Sequence, residues 1–126
     1  NMSDLAAKGA EPLGVLMGAG LARGDSWDAA FADGLGAALD HFGAPLLGGD
    51  TVAMPAAGPV TLGLTAIGRA PASGAPSRGG ARAGDELWVS GPIGDAGLGL
   101  LARQGRIADA PAALVQAYTH PQPNLA

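Results

Sequence analysis

A chain of 126 residues with a net charge of −4 is about one domain, long enough for a real core and short for a two-domain enzyme. Its six arginines and one lysine form no basic stripe with interleaved aromatics, which argues against nucleic acid as a partner. The longest apolar stretch, residues 13–22, is too short and too glycine-rich to span a bilayer, and with no cysteine there are neither disulfides nor thiolate metal sites.

Aromatic residues make up only 4%, so the core must come from Ala, Leu, Val and Gly, which bring backbones close together. The 22 glycines and 10 prolines are interspersed with apolar runs, as in a loop-rich folded domain. A cysteine-free chain fits the cytoplasm. An acidic chain still binds anionic nucleotides where divalent cations bridge the two.

In chain order, "SDLAAKG" (3–9) predicts the end of a helix closed by Gly9, with Pro12 as a stop. "LGVLMGAGL" (13–21) reads as a buried strand. The clearest helix is 24–43, where Trp27, Phe31, Leu35 and Leu39 recur every four residues, Asp25 or Ser26 is positioned to cap, and Gly43 ends it. "PLL" (45–47) predicts a short strand running out into "GGDT". Residues 58–70 alternate Val60, Leu62 and Leu64 with Thr61, Gly63 and Thr65, the period of a half-buried strand. A loop follows over 71–85, then a further strand at "ELWVSG" (86–91). A glycine-rich turn leads into a helix within 91–106, with Asp95 as its cap, and a last short helix lies within 110–120. The order α-β-α-β-β-β-α-α favours an α+β fold, a mixed or antiparallel sheet packed with helices. Trp27 and Trp88 are expected in the core.

Few residues offer chemistry. Asp4 is either a solvent-facing helix carboxylate or a metal ligand. Asp50 is either ordinary turn chemistry after Gly48 and Gly49 or a metal and phosphate ligand. Mg²⁺ takes one or two carboxylates plus phosphate oxygens, so an acid on a helix and an acid beyond a strand would suit it if folding joined them. Arg78, among small residues, is a solvated charge or a phosphate clamp. "GPIGDAGLGL" lacks the Gly-Lys-Ser/Thr ending of a phosphate loop and the spacing of a dinucleotide fingerprint. His41 and His120 lack companions at metal spacing, and no serine has the Gly-x-Ser-x-Gly context of a hydrolase.

Together "NMSDLAAKGAEPLG", "LLGGDTV", "TLGLTAIGRA", "SRGGARAGDELWVSGPIGDAGLGL" and "YTHPQP" resemble, in order and spacing, the thiamine-monophosphate kinase family of the aminoimidazole-ribotide synthetase-like superfamily. The resemblance runs over essentially the whole chain. It implies the ATP-binding domain of that fold and transfer of the ATP γ-phosphate to thiamine monophosphate. By the same resemblance Asp4 and Asp50 bind Mg²⁺, Gly49, Asp50 and Arg78 contact ATP, and the protein is a homodimer through the first domain's sheet, with strand 58–70 as a candidate. Residues 1–126 then form the central and C-terminal part of the N-terminal ATP/Mg domain and run into the start of a linker to a further domain. An acidic segment upstream and a substrate-recognising half downstream are expected outside the chain. Two departures are Lys8, where the family carries an apolar residue, and Ala83, where it carries Pro. The alternatives are a sister enzyme with another substrate, or a non-catalytic dimerisation or nucleotide-binding module.

Overall fold

The computed structural model describes residues 1–21, 24–55 and 58–125; Ala22, the last residue of the apolar stretch 13–22, falls outside them. The chain divides into two units, Asn1–Pro76 with Leu125, and Ser77–Asn124.

The first unit is a three-stranded mixed sheet with two helices, an α+β arrangement. Its elements are α1 (Met2–Ala6), β1 (Glu11–Leu21), α2 (Asp25–His41), β2 (Leu46–Ala53) and β3 (Thr61–Arg69). The sheet order is β2-β1-β3. β1 and β2 run parallel, which requires the long crossover that α2 supplies, and β3 returns antiparallel on the other flank.

Glycine closes both helices as the sequence predicts. Gly9, at φ 59°, stands where Gly9 N–H reaches the Ala6 carbonyl at 2.9 Å and Ala10 N–H reaches that of Leu5 at 3.0 Å. Gly43, at φ 58°, repeats the pattern after α2, with Ala44 N–H on Leu39 at 3.0 Å. These are the paired bonds of a Schellman motif, which places its left-handed residue where only glycine is free of strain. The N-terminal expectations fare differently. Gly24, not Asp25 or Ser26, is the N-cap of α2, and neither acid nor hydroxyl makes a capping bond; Asp25 instead lies in the first turn, where the helix dipole favours it.

The core is small and lies on one face of the sheet. Val15 is fully buried and packs with Met2 and Ala44, and Leu5, Leu39, Phe42, Leu64 and Ala66 gather round them. Cross-strand register explains the strand contribution: Val15 pairs with Ala66 and Met17 with Leu64, so these residues share the face that α1 and the end of α2 cover. Asn1 Nδ2 also donates to the Leu64 carbonyl at 2.7 Å, tying the start of α1 to β3. At its other end α1 comes so close to β3 that a Cβ on Gly68 would stand 2.9 Å from Leu5 Cδ2.

The second unit holds α3 (Asp95–Arg103) and α4 (Ala112–Thr119). Gly99 is buried against α4, and a Cβ there would run into the Leu114 backbone, with Tyr118 Cβ 2.9 Å away. Here too the cap is a glycine: Gly94 in the left-handed region precedes α3, and Asp95 is its first-turn acid rather than its cap. Residues 86–91 form no strand. The run Leu87-Trp88-Val89 has strand composition, but a strand exists only where another lies beside it, and the ladders of the described residues involve β1, β2 and β3 alone. Leu87 is 95% exposed and Trp88 83%, so Trp88 is not a core residue. Neither is Trp27, which stacks on Phe31 at 5.5 Å, 39% exposed on α2.

Candidate functional site

The "GGDT" segment lies inside a strand. Instead of a three-residue strand running out into a turn, β2 continues to Ala53, and Gly48, Gly49, Asp50 and Thr51 pair with Leu16, Met17, Gly18 and Ala19 of β1. Between Leu46 and Gly48 the register shifts by one residue: Val15 faces Leu46, but Leu16 already faces Gly48. Leu47 is therefore an extra residue in β2, the arrangement of a bulge.

That extra residue decides where Asp50 points. Side chains alternate between sheet faces, and paired residues share a face. Asp50 pairs with Gly18, and Gly18 pairs in turn with Gly63 of β3. The row Asp50-Gly18-Gly63 therefore crosses all three strands on the face opposite the one that holds Val15 and Leu64. All three residues are exposed, and a Cβ on Gly18 would meet nothing within 4 Å. One carboxylate thus stands at the side of an open floor made of backbone. Asp50 Oδ1 accepts a hydrogen bond from the Thr51 N–H at 2.9 Å, which orients the carboxylate.

Gly49 has a different reason to be glycine. It pairs with Met17, and a Cβ there would overlap the Met17 carbonyl oxygen and lie 2.8 Å from its carbon. Close approach of two strands accounts for this glycine without any ligand.

Asp4 lies in the first turn of α1, on the covered side of the sheet, with its side chain 77% exposed. Among the described residues no group of three or more His, Asp or Glu is gathered to hold a metal ion. Arg78 belongs to the second unit, where it follows Ser77, whose hydroxyl accepts from the Gly79 N–H at 3.3 Å. Asp85 of the same loop accepts from the Arg82 N–H at 2.8 Å. Sequence reading missed Gly18 and Gly63 as neighbours of Asp50. The only signal was that both sit at matching places in glycine-interrupted apolar strands.

A family model described as AIR synthase related protein, N-terminal domain, matches residues 1–70. The thiamine-monophosphate kinase of Caulobacter vibrioides is 43% identical over 127 residues, covering 99% of this chain and 36% of that protein. The chain thus spans little more than a third of that curated relative. Among solved structures, the thiamine-monophosphate kinase from Stenotrophomonas maltophilia K279a superposes with a TM-score of 0.79 at 36% identity, over 99% of this chain and 41% of that one. A structure of AaThiL complexed with AMPPCP and TMP gives a TM-score of 0.79 at 26% identity, over 98% of this chain and 40% of that one.

Proposed function

The chain belongs to the AIR synthase-related family, through that family's N-terminal domain, and on this premise we propose that it is part of an enzyme that transfers the γ-phosphate of ATP to thiamine monophosphate, giving thiamine diphosphate and ADP. Its near-complete alignment with a thiamine-monophosphate kinase supports the choice of reaction within the family. So does a neighbour of the same fold that holds AMPPCP, an ATP analogue, together with TMP.

The observation that carries the reading is Asp50, an exposed carboxylate held by Thr51 N–H over a floor of glycines. Phosphoryl transfer asks a protein mainly for positioning and for neutralisation of charge. Mg²⁺ supplies that positive charge when bound, and it prefers hard oxygen donors. Asp50 fits this demand, because its carboxylate is accessible and the Gly18-Gly63 row leaves room for phosphate oxygens. Asp50 would hold a metal ion on this face, and Asp4, on the helix at the other side of the sheet, would hold a separate one. The Gly49-Asp50 backbone and Arg78 are the ATP contacts of this reading, the guanidinium as a planar fork of donors toward phosphate.

The same proposal makes residues 1–126 the central and C-terminal part of the ATP/Mg domain, running into the start of a linker to a further domain. It makes the protein a homodimer, a state supported by the outer position of β3 and its exposed Leu62. It also places the reaction in the cytoplasm, where ATP is available.

The test supplies ATP, Mg²⁺ and thiamine monophosphate to the protein that carries this chain and follows thiamine diphosphate by mass spectrometry. Asp50→Asn keeps an oxygen for the Thr51 N–H and removes the charge. Turnover is expected to fall at least about 100-fold, the scale of losing one preorganised charge-stabilising group, with the melting temperature unchanged. An Asn variant as active as the parent would refute the role of Asp50. A parent that binds Mg-ATP and yields no thiamine diphosphate would refute the substrate.

A further inference from the structure

Lys8 is the sole lysine of the chain. Its surroundings give it a task. The Schellman motif at the end of α1 fixes the backbone on both sides of Lys8, with Lys8 N–H itself on the Leu5 carbonyl at 3.0 Å. From this rigid base the half-buried side chain reaches across sequence, and its Nζ donates to the Pro76 carbonyl at 2.6 Å. Its neighbour Gly9 borders the same segment, since a Cβ there would lie 3.8 Å from Pro71 Cγ. Between Pro71 and Pro76 the loop is otherwise held by its own turn, Gly74 N–H to Pro71 carbonyl at 2.8 Å. Pro76 ends the continuous stretch 1–76 of the first unit, and Arg78 comes two positions later.

We propose that Lys8 is a positioning residue for ATP binding: its ammonium clasps the Pro76 carbonyl and so fixes the start of the segment that carries Arg78. The inference rests on the reading of Arg78 as an ATP contact. A short bond with a charged donor is stronger than a neutral one, and proline confines the backbone at the point held. Arginine could make the same bond. Methionine has similar reach and apolar bulk but donates nothing, so it removes the clasp while keeping the packing of the stem.

The experiment compares Lys8→Met, Lys8→Arg and Arg78→Ala in the full-length protein, with amide hydrogen exchange over 72–80 and separate KM for ATP and kcat. In Lys8→Met, exchange over 72–80 is expected to speed up about fivefold, the effect of one exposed hydrogen bond to a charged group. KM for ATP is expected to rise by a similar factor with kcat little changed. Lys8→Arg should restore both, and Lys8→Met should add nothing to Arg78→Ala. Unchanged exchange in Lys8→Met overturns the clasp. Faster exchange with unchanged KM, in a protein whose Arg78→Ala does raise KM, overturns the positioning role. If Arg78→Ala leaves KM unaltered, the assignment of Arg78 fails, and with it the part of Lys8 in ATP binding; the hydrogen bond is still judged by exchange alone.

Discussion

Gly49→Ala separates two explanations of one glycine. If Gly49 is small only so that a nucleotide can approach, alanine should weaken nucleotide binding and leave the fold intact. The register predicts otherwise. The new methyl group would be driven into the Met17 carbonyl, and Met17 C and N lie 2.8 and 3.1 Å from its position. These are backbone atoms in the central strand, so they can yield only if β1 and β2 move apart. Overpacking costs about 1–3 kcal/mol where flexible side chains adjust, and a backbone obstacle puts this case at the upper end, about 3 kcal/mol. For a unit of this size each kcal/mol lowers the melting temperature by about 4–8 °C, so a drop of about 12–24 °C is expected. Gly18→Ala is the control, one pairing away on the other face, with nothing within 4 Å of its Cβ. There the substitution should raise stability by about 0.5–1 kcal/mol, because alanine loses less conformational freedom than glycine. Thermal melts followed by far-ultraviolet circular dichroism, without nucleotide, read both. A Gly49→Ala variant melting within about 2 °C of the parent, under 0.5 kcal/mol, would refute the packing argument.

Gly99→Ala should act in the same way in the second unit. Its methyl group would meet the Leu114 backbone, and a cost of about 3 kcal/mol should appear as lost helical signal on urea titration. Glu11→Gln breaks the 3.7 Å pair with Arg69, both side chains being more than three-fifths exposed; a change below about 0.5 kcal/mol is expected, and a larger one in denaturant titration would contradict it.

Much of this architecture was legible because local chemistry dictated it. Gly9 and Gly43 end their helices as expected because the left-handed closing position excludes almost every other residue. The alternation in β3 shows in part: Leu64 turns to the core while Thr65 stays exposed, but Leu62, expected inward, is exposed and Val60 precedes the strand. Failures occurred where the answer depended on a partner far away in sequence. The run at 86–91 has strand composition, but composition does not provide a neighbouring ladder, and Trp88 stays in solvent. Helix starts were misread because Gly24 and Gly94 take the cap positions, leaving Asp25 and Asp95 in the first turn. The position of Asp50 depends on pairing with β1, which no spacing within "GGDT" reveals. Asp4 sits on α1, on the other side of the sheet.

The bulge at Leu47 makes register, more than residue identity, the sensitive variable in β2. Were Leu47 drawn into the ladder opposite Leu16, Asp50 would slide from Gly18 to Ala19 and turn toward the side where Val15 is buried. Every downstream side chain of the strand would invert with it. Loss of Leu47 itself would leave Gly48 on Leu16 and Asp50 on Gly18, so homologous chains should tolerate a gap at that one position.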